Sequence, residues 1–182
     1  YLCEKVPAMI HRRPEDQQFL NRTALFTEGN AWEISPVETM EHVFALDSKP
    51  ALADRWKRYS LAALRQTQSN IDCSGCIDYF ERVELLVETA YILYVKSRKE
   101  LPFGRFFDII SLGAWKKSLE CWRNACLSNH SAIESIDPGF ILIIYNDVLQ
   151  LLEDAWQWYA ANTDIPSAAE ESFPAYLLRR VA

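Results

Sequence analysis

The sequence predicts an all-α fold, a single-domain bundle of about five or six helices with an irregular N-terminal arm. Three observations carry that expectation. Apolar residues recur at three- and four-residue spacing in several successive segments, the period that lines one face of an α-helix. Glycine is scarce, five in 182 residues, so few positions interrupt a helix. Two helix-start signatures, Ser35-Pro36-Val37-Glu38 and Asp137-Pro138, stand directly before periodic runs.

The elements follow in order. Residues 1–34 contain Pro7, Pro14 and Gly29 and lack a sustained period, so they read as an arm with short helices laid on a bundle of residues 35–182. Ser35 is placed to cap the first bundle helix, whose apolar face is Val37, Met40 and Phe44. After a break at Asp47-Ser48-Lys49-Pro50, the residues Leu52, Trp56, Tyr59 and Ala63 predict a second helix reaching Gln68. A loop is expected at residues 69–76, SNIDCSGC. Beyond it Phe80, Val83, Val87, Ala90 and Tyr94 mark a buried face, with Glu81, Glu84 and Glu88 on a wet one. KELPFG breaks the chain again. One long helix is then expected from Arg105 through Trp115, Leu119, Trp122 and Cys126. In the last long segment FILIIY could pass alone for a buried strand, but Ile141, Ile144, Val148, Leu151, Ala155 and Trp158 continue the helical period. PAYLLRR near the C-terminus reads as a docking or truncated helix.

Composition narrows the function. Half of the residues are apolar and the formal charge is −6, with nineteen Lys and Arg scattered rather than clustered, which disfavours tight nonspecific nucleic-acid binding. The longest apolar run is six residues, against the roughly 20 of a membrane span, so no membrane span is expected. Five cysteines cannot all pair within one chain and fit reduced thiols, which makes a cytoplasmic setting the expectation. The start at Tyr1 without a leader reads as a fragment or processed product. Phosphate-cradling glycine loops, GxSxG elbows, HExxH helices and calcium loops are absent from the sequence.

Three constellations carry chemistry. On a continuous helix Arg123 and His130 would lie within about 20° of each other and roughly 10 Å apart along the axis. A histidine can move a proton while a nearby arginine binds phosphate, enough for metal-free RNA cleavage. The residues RNACLSNH, at a helix end and followed by IDPGFILIIYNDVLQLLEDAW, resemble the arginine, polar residue, spacer and histidine of the HEPN superfamily of helical ribonucleases and nucleotide-acting toxins. The resemblance covers about forty residues of the chain, and its six-residue spacer is at the long end. It implies a metal-independent ribonuclease with Arg123 and His130 catalytic and Asn124 the accompanying polar residue. The structural alternative pairs Arg123 with Glu120 and leaves His130 in a fraying helix end.

The second constellation is Cys73 and Cys76 with Cys126 and His130, four ligands of the types that hold a structural zinc ion, the last two being four apart on one expected helical face. Zinc is the cofactor that alternative requires. The alternative is a set of reduced cysteines packed as small apolar groups; otherwise no cofactor is expected. The third is aromatic: Trp156 and Trp158 are about 200° apart on a helix, so they cannot face one core together, and Tyr159 follows. These three are the expected interface. The primary expectation is therefore a noncatalytic helical protein–protein interaction module within a larger assembly, bound to a protein partner or to itself, with the ribonuclease and the zinc-stapled domain as alternatives.

Overall fold

Side-chain caps set where the helices begin. In the computed structural model, which describes residues 14–27, 30–45, 47–65, 71–97, 102–128 and 130–163, seven α-helices follow one another: α1 (Asn21–Phe26), α2 (Pro36–Phe44), α3 (Lys49–Leu64), α4 (Cys73–Lys96), α5 (Gly104–Ile109), α6 (Leu112–Leu127) and α7 (Pro138–Ala161). Three 3-10 turns, Pro14–Phe19, Ala31–Glu33 and Ala132–Glu134, complete the path, and no strand occurs among the described residues. Ser35, Ser48, Asp72, Ser111 and Asp137 each accept a backbone N–H of the helix they precede. Each such cap contributes about 1 kcal/mol. The all-α bundle and the helix starts at Pro36 and Pro138 are as the sequence predicts; PAYLLRR lies outside the described residues.

Several boundaries differ from expectation. α3 ends at Leu64, because Arg65 turns to extended backbone and its N–H closes a tight last turn on the Ala62 carbonyl at 3.2 Å. Residues 73–76 are the first turn of α4 and not a loop, since the Asp72 carboxylate takes the N–H groups of Ser74 and Gly75 at 3.1 Å each. Glycine suits that turn, because a Cβ on residue 75 would lie 2.5 Å from Asp72 Oδ2. The long helix expected from Arg105 is two, broken where Ile110 is extended and Ser111 restarts the chain as a cap.

α4 is the centre of the bundle. Residues 82–93 are buried without a break, because α1, α2, α5, α6 and α7 all pack on this helix. α3 packs across α6 and α7, and Trp56 fills the junction, 5.1 Å from the Trp122 ring with its indole N–H on the Tyr145 carbonyl at 3.0 Å. Tyr79 bonds from the buried side of α4 to the Leu52 carbonyl at 3.0 Å. The residues before α2 belong to the packing. Trp32 donates to Gln17 at 2.6 Å, the Tyr91 hydroxyl to Asp16, and the Phe19 ring lies so close to α6 that a Cβ on Gly113 would be 2.7 Å from it.

Trp56 is fully buried and meets Phe80, Trp122 and Tyr145 on three other helices. Trp56→Ala is expected to cost about 3–5 kcal/mol, the usual range for emptying a buried tryptophan site. Urea denaturation of the purified variant measures it; a loss below 1 kcal/mol on the order-of-magnitude scale of surface changes would mean that α3 is not seated as described.

Candidate functional site

The seam between α4 and α6 holds two buried carboxylates, Glu84 and Glu88, with their cationic partners. Glu84 and Glu88 occupy successive turns of α4 on the side expected to be wet, yet both are buried. This corrects the amphipathic reading of the helix. The reason is that α1 and α6 cover that side and bring cations to it. Lys116 Nζ donates to Glu88 Oε1 at 2.5 Å, to Glu84 Oε2 at 2.9 Å and to Asn21 Oδ1 at 2.9 Å. Arg22 adds contacts of 3.3 Å to Glu84 and 3.0 Å to Glu81. The second Glu88 oxygen accepts the Thr23 N–H at 2.8 Å and the first accepts the Arg22 N–H at 3.2 Å, so a carboxylate of α4 caps the N-terminus of α1. The positive end of a helix dipole favours a carboxylate there.

Arg123 joins this cluster. Its Nη1 is 3.2 Å from Glu84 Oε1, so its partner is Glu84 on α4 and not the expected Glu120, which is exposed. His130 is elsewhere. α6 stops at Leu127 and Ser128 is extended, so the helical alignment of Arg123 with His130, and of Cys126 with His130, is not formed. The His130 ring is 82% exposed and its Nδ1 is 3.3 Å from Glu134 Oε2. Asn124 is exposed on α6. The structure thus separates the three residues implied by the HEPN resemblance into one ion-paired guanidinium, one exposed amide and one exposed imidazole.

Of the four candidate zinc ligands, two come together. Cys76 from the first turn of α4 and Cys126 from the last turn of α6 are both buried, and each shifts the other's pKa. The Cys126 thiol also reaches the Tyr59 carbonyl at 3.0 Å. Cys73 is exposed, with Sγ 3.8 Å from the Ile71 carbonyl, and Cys121 is half-buried. Among the described residues no group of three or more His, Cys, Asp or Glu side chains is arranged to hold a metal ion. The neighbouring Cys126 thiol holds the Cys76 thiol below its ordinary pKa against the opposing effect of burial, and Arg123 acts in the same direction. The neighbouring Cys76 thiol, with burial, pushes Cys126 far above its ordinary value. A cavity of about 290 Å³ is lined by Arg55, Arg58, Tyr59, Ile71, Asp72 and Gly75. Arg55 is paired with Asp47 at 3.1 Å and Arg58 lies over the Tyr59 ring, 5.5 Å from its centroid.

The aromatic triplet of α7 turns mostly inward. Tyr159 is buried beside Phe44, Trp156 meets Phe44 edge-on at 5.2 Å, and Trp158 is half-buried against the core. Trp156 and Trp158 do occupy different sides of the helix, and each side is partly covered. Large apolar side chains are open at the other end: Leu142 is 63% exposed, Ile143 47% and, on the turn before the helix, Ile133 52%, while Leu25, Leu61 and Ile109 are exposed on other elements. Sequence periodicity missed these positions. Their signal is the density of FILIIY, which holds more apolar residues than one core-facing stripe can absorb.

Comparison with family models, with curated proteins and with solved structures finds no match. Fold and site define a helical bundle whose buried charges hold its helices together and whose thiol pair lies in the α4–α6 seam. No helix among the described residues is long and apolar enough to cross a membrane.

Arg123 and His130 should respond differently to substitution. Arg123→Ala is expected to cost about 1.5–3 kcal/mol, the loss of a hydrogen bond between charged partners, and His130→Ala less than about 0.5 kcal/mol. Chemical denaturation gives both values, and a labelled RNA incubated with wild type should stay intact. RNA cleavage that disappears in His130→Ala would restore the ribonuclease reading.

Proposed function

We propose that this chain is a noncatalytic helical interaction module that binds a protein partner, a second copy of itself included, through the apolar surface at the start of α7. The observation that carries the reading is the exposure of Leu142, Ile143 and Ile133, three large aliphatic side chains within eleven residues of chain. Exposed aliphatics lose water favourably when a partner covers them, at about 25 cal/mol per Å². The reading moves the interface from Trp156, Trp158 and Tyr159 to the opposite end of the same helix, since the aromatic triplet is engaged with Phe44 and the core. It is further supported by where the polar groups go: Arg123, Lys116 and Arg22 bond to carboxylates of the same chain. A cytoplasmic setting belongs to the same proposal and rests on the free thiols of Cys73, Cys76, Cys121 and Cys126.

The double substitution Leu142→Asp with Ile143→Asp tests it. Both positions face solvent, so the thermal midpoint should stay close to that of wild type. Sedimentation across a concentration series should show association of wild type that the variant lacks, or quantitative co-purification should return a stoichiometric partner that the variant loses. A wild type that is monomeric throughout and whose co-purifying proteins are unchanged in the variant would contradict the proposal.

A further inference from the structure

The cavity of about 290 Å³ is built from the second half of α3, which supplies Arg55, Arg58 and Tyr59, and from the start of α4, where Ile71, Asp72 and Gly75 line it. It shares no residue with the exposed surface of α7 or with the buried ion cluster. Two charges in its wall meet no opposite charge. Arg58 is exposed, lies over the Tyr59 ring, and is joined to no carboxylate among the described residues. Asp72 is exposed as well; each of its oxygens accepts one N–H of α4, and no cation pairs with it among the described residues. We propose that this cavity binds a small zwitterion of the amino-acid class, its carboxylate held by Arg58 and its ammonium by Asp72.

The other wall groups decide the class of ligand. The charge of Arg55 is already met, because Asp47 lies 3.1 Å from it and 2.9 Å from Arg82. A plain anion drawn to Arg58 would be held against Asp72, and a plain cation drawn to Asp72 would be held against Arg58. A ligand with both charges satisfies both walls. The planar guanidinium fork of Arg58 matches a carboxylate. A carboxylate has about four lone-pair sites, so Asp72 can accept from an ammonium while it caps α4.

The Tyr59 hydroxyl is a third contact. Tyr59 is 5% exposed, and its hydroxyl makes no hydrogen bond among the described residues. A Cβ on Gly75 would lie 3.6 Å from that hydroxyl and 2.5 Å from Asp72 Oδ2, so both oxygens border the gap that glycine leaves in the wall. Burial holds the phenol above its ordinary pKa, and at neutral pH it is a donor. Ile71 offers an apolar contact to a short side chain. The volume is at the low end for ligand pockets, which limits the occupant to a small molecule.

The experiment titrates the isotope-labelled whole chain and follows the backbone amide signals of Ile71, Asp72 and Gly75 by NMR. The probes are glycine, L-alanine and L-leucine, each beside the acid that lacks its amino group and the amine that lacks its carboxylate, with inorganic phosphate as the plain anion. At least one amino acid should shift these signals saturably. Its acid, its amine and phosphate should each bind about tenfold more weakly or worse, since each forgoes a charge-assisted hydrogen bond. Arg58→Gln and Asp72→Asn should each weaken the amino acid by about tenfold; asparagine caps a helix as well as aspartate, so the second change keeps the start of α4. No saturable shift with any of the three amino acids would overturn the proposal. So would phosphate or a lone acid binding as tightly as the amino acid, or an affinity unchanged in Arg58→Gln.

Discussion

The arrangement of this bundle depends on two buried carboxylates. Glu88 is wholly inside the protein and Glu84 nearly so, and an isolated ion there would cost several kcal/mol in lost hydration. Each is tolerated because the neighbouring helices supply what water would have supplied. Lys116 of α6 bonds to both, Arg22 and Arg123 bond to Glu84, and the open N–H groups of α1 bond to Glu88. The consequence is positional. α1 is six residues long, too short to persist as an isolated helix, and its first turn is fixed by a carboxylate 65 residues away in sequence. An ion cluster of this kind adds little net stability over a well-packed apolar seam, but shifting α1 or α6 by one turn would leave charges buried without partners.

The same seam holds the thiols. Arg123 contacts Glu84 on one side and influences Cys76 on the other, so the ion cluster and the Cys76–Cys126 pair share a residue. That sharing explains why a stretch rich in Arg, Asn, Cys and His drew attention as chemistry. Its arginine is bound into the interior, its asparagine is in solvent, and its histidine follows the end of the helix. What the stretch contributes to the fold is a cation for α4 and a thiol for the Tyr59 carbonyl. The apolar surface around Leu142 lies beyond this seam, after the turn Ala132–Glu134 whose preceding Ser131 is tied to the Leu64 carbonyl at 3.1 Å.

Much of the fold was legible in the sequence where the determinants are local. Ser35 before Pro36 and Asp137 before Pro138 mark helix starts because a cap and a fixed proline φ act within four residues. The apolar faces of α2, α3 and α7 follow from spacing alone. What escaped depends on groups distant in sequence. Glu84 and Glu88 read as solvated because periodicity records polarity and cannot see that Lys116 and Arg22 will arrive opposite them. The cap at Asp72 was hidden inside a Ser-Asn-Asp-Gly cluster that resembles a loop, and the stop at Ser128 carries neither proline nor glycine. Half of the proposed zinc set met for a related reason. Cys76 and Cys126 are buried where α4 packs on α6, whereas Cys73 is exposed on the first turn of α4 and His130 is exposed beyond the end of α6.

The central claim is that Glu88 and Lys116 act as one unit joining α1, α4 and α6. A double-mutant cycle with Glu88→Ala and Lys116→Met, each measured by urea denaturation, tests it directly. Each single change should cost about 3–5 kcal/mol, because it leaves the opposite charge buried. The double variant should be destabilised by less than the sum, with a coupling on the order of 1–3 kcal/mol. Small losses that add without coupling would show that the pair is not what holds these helices in register.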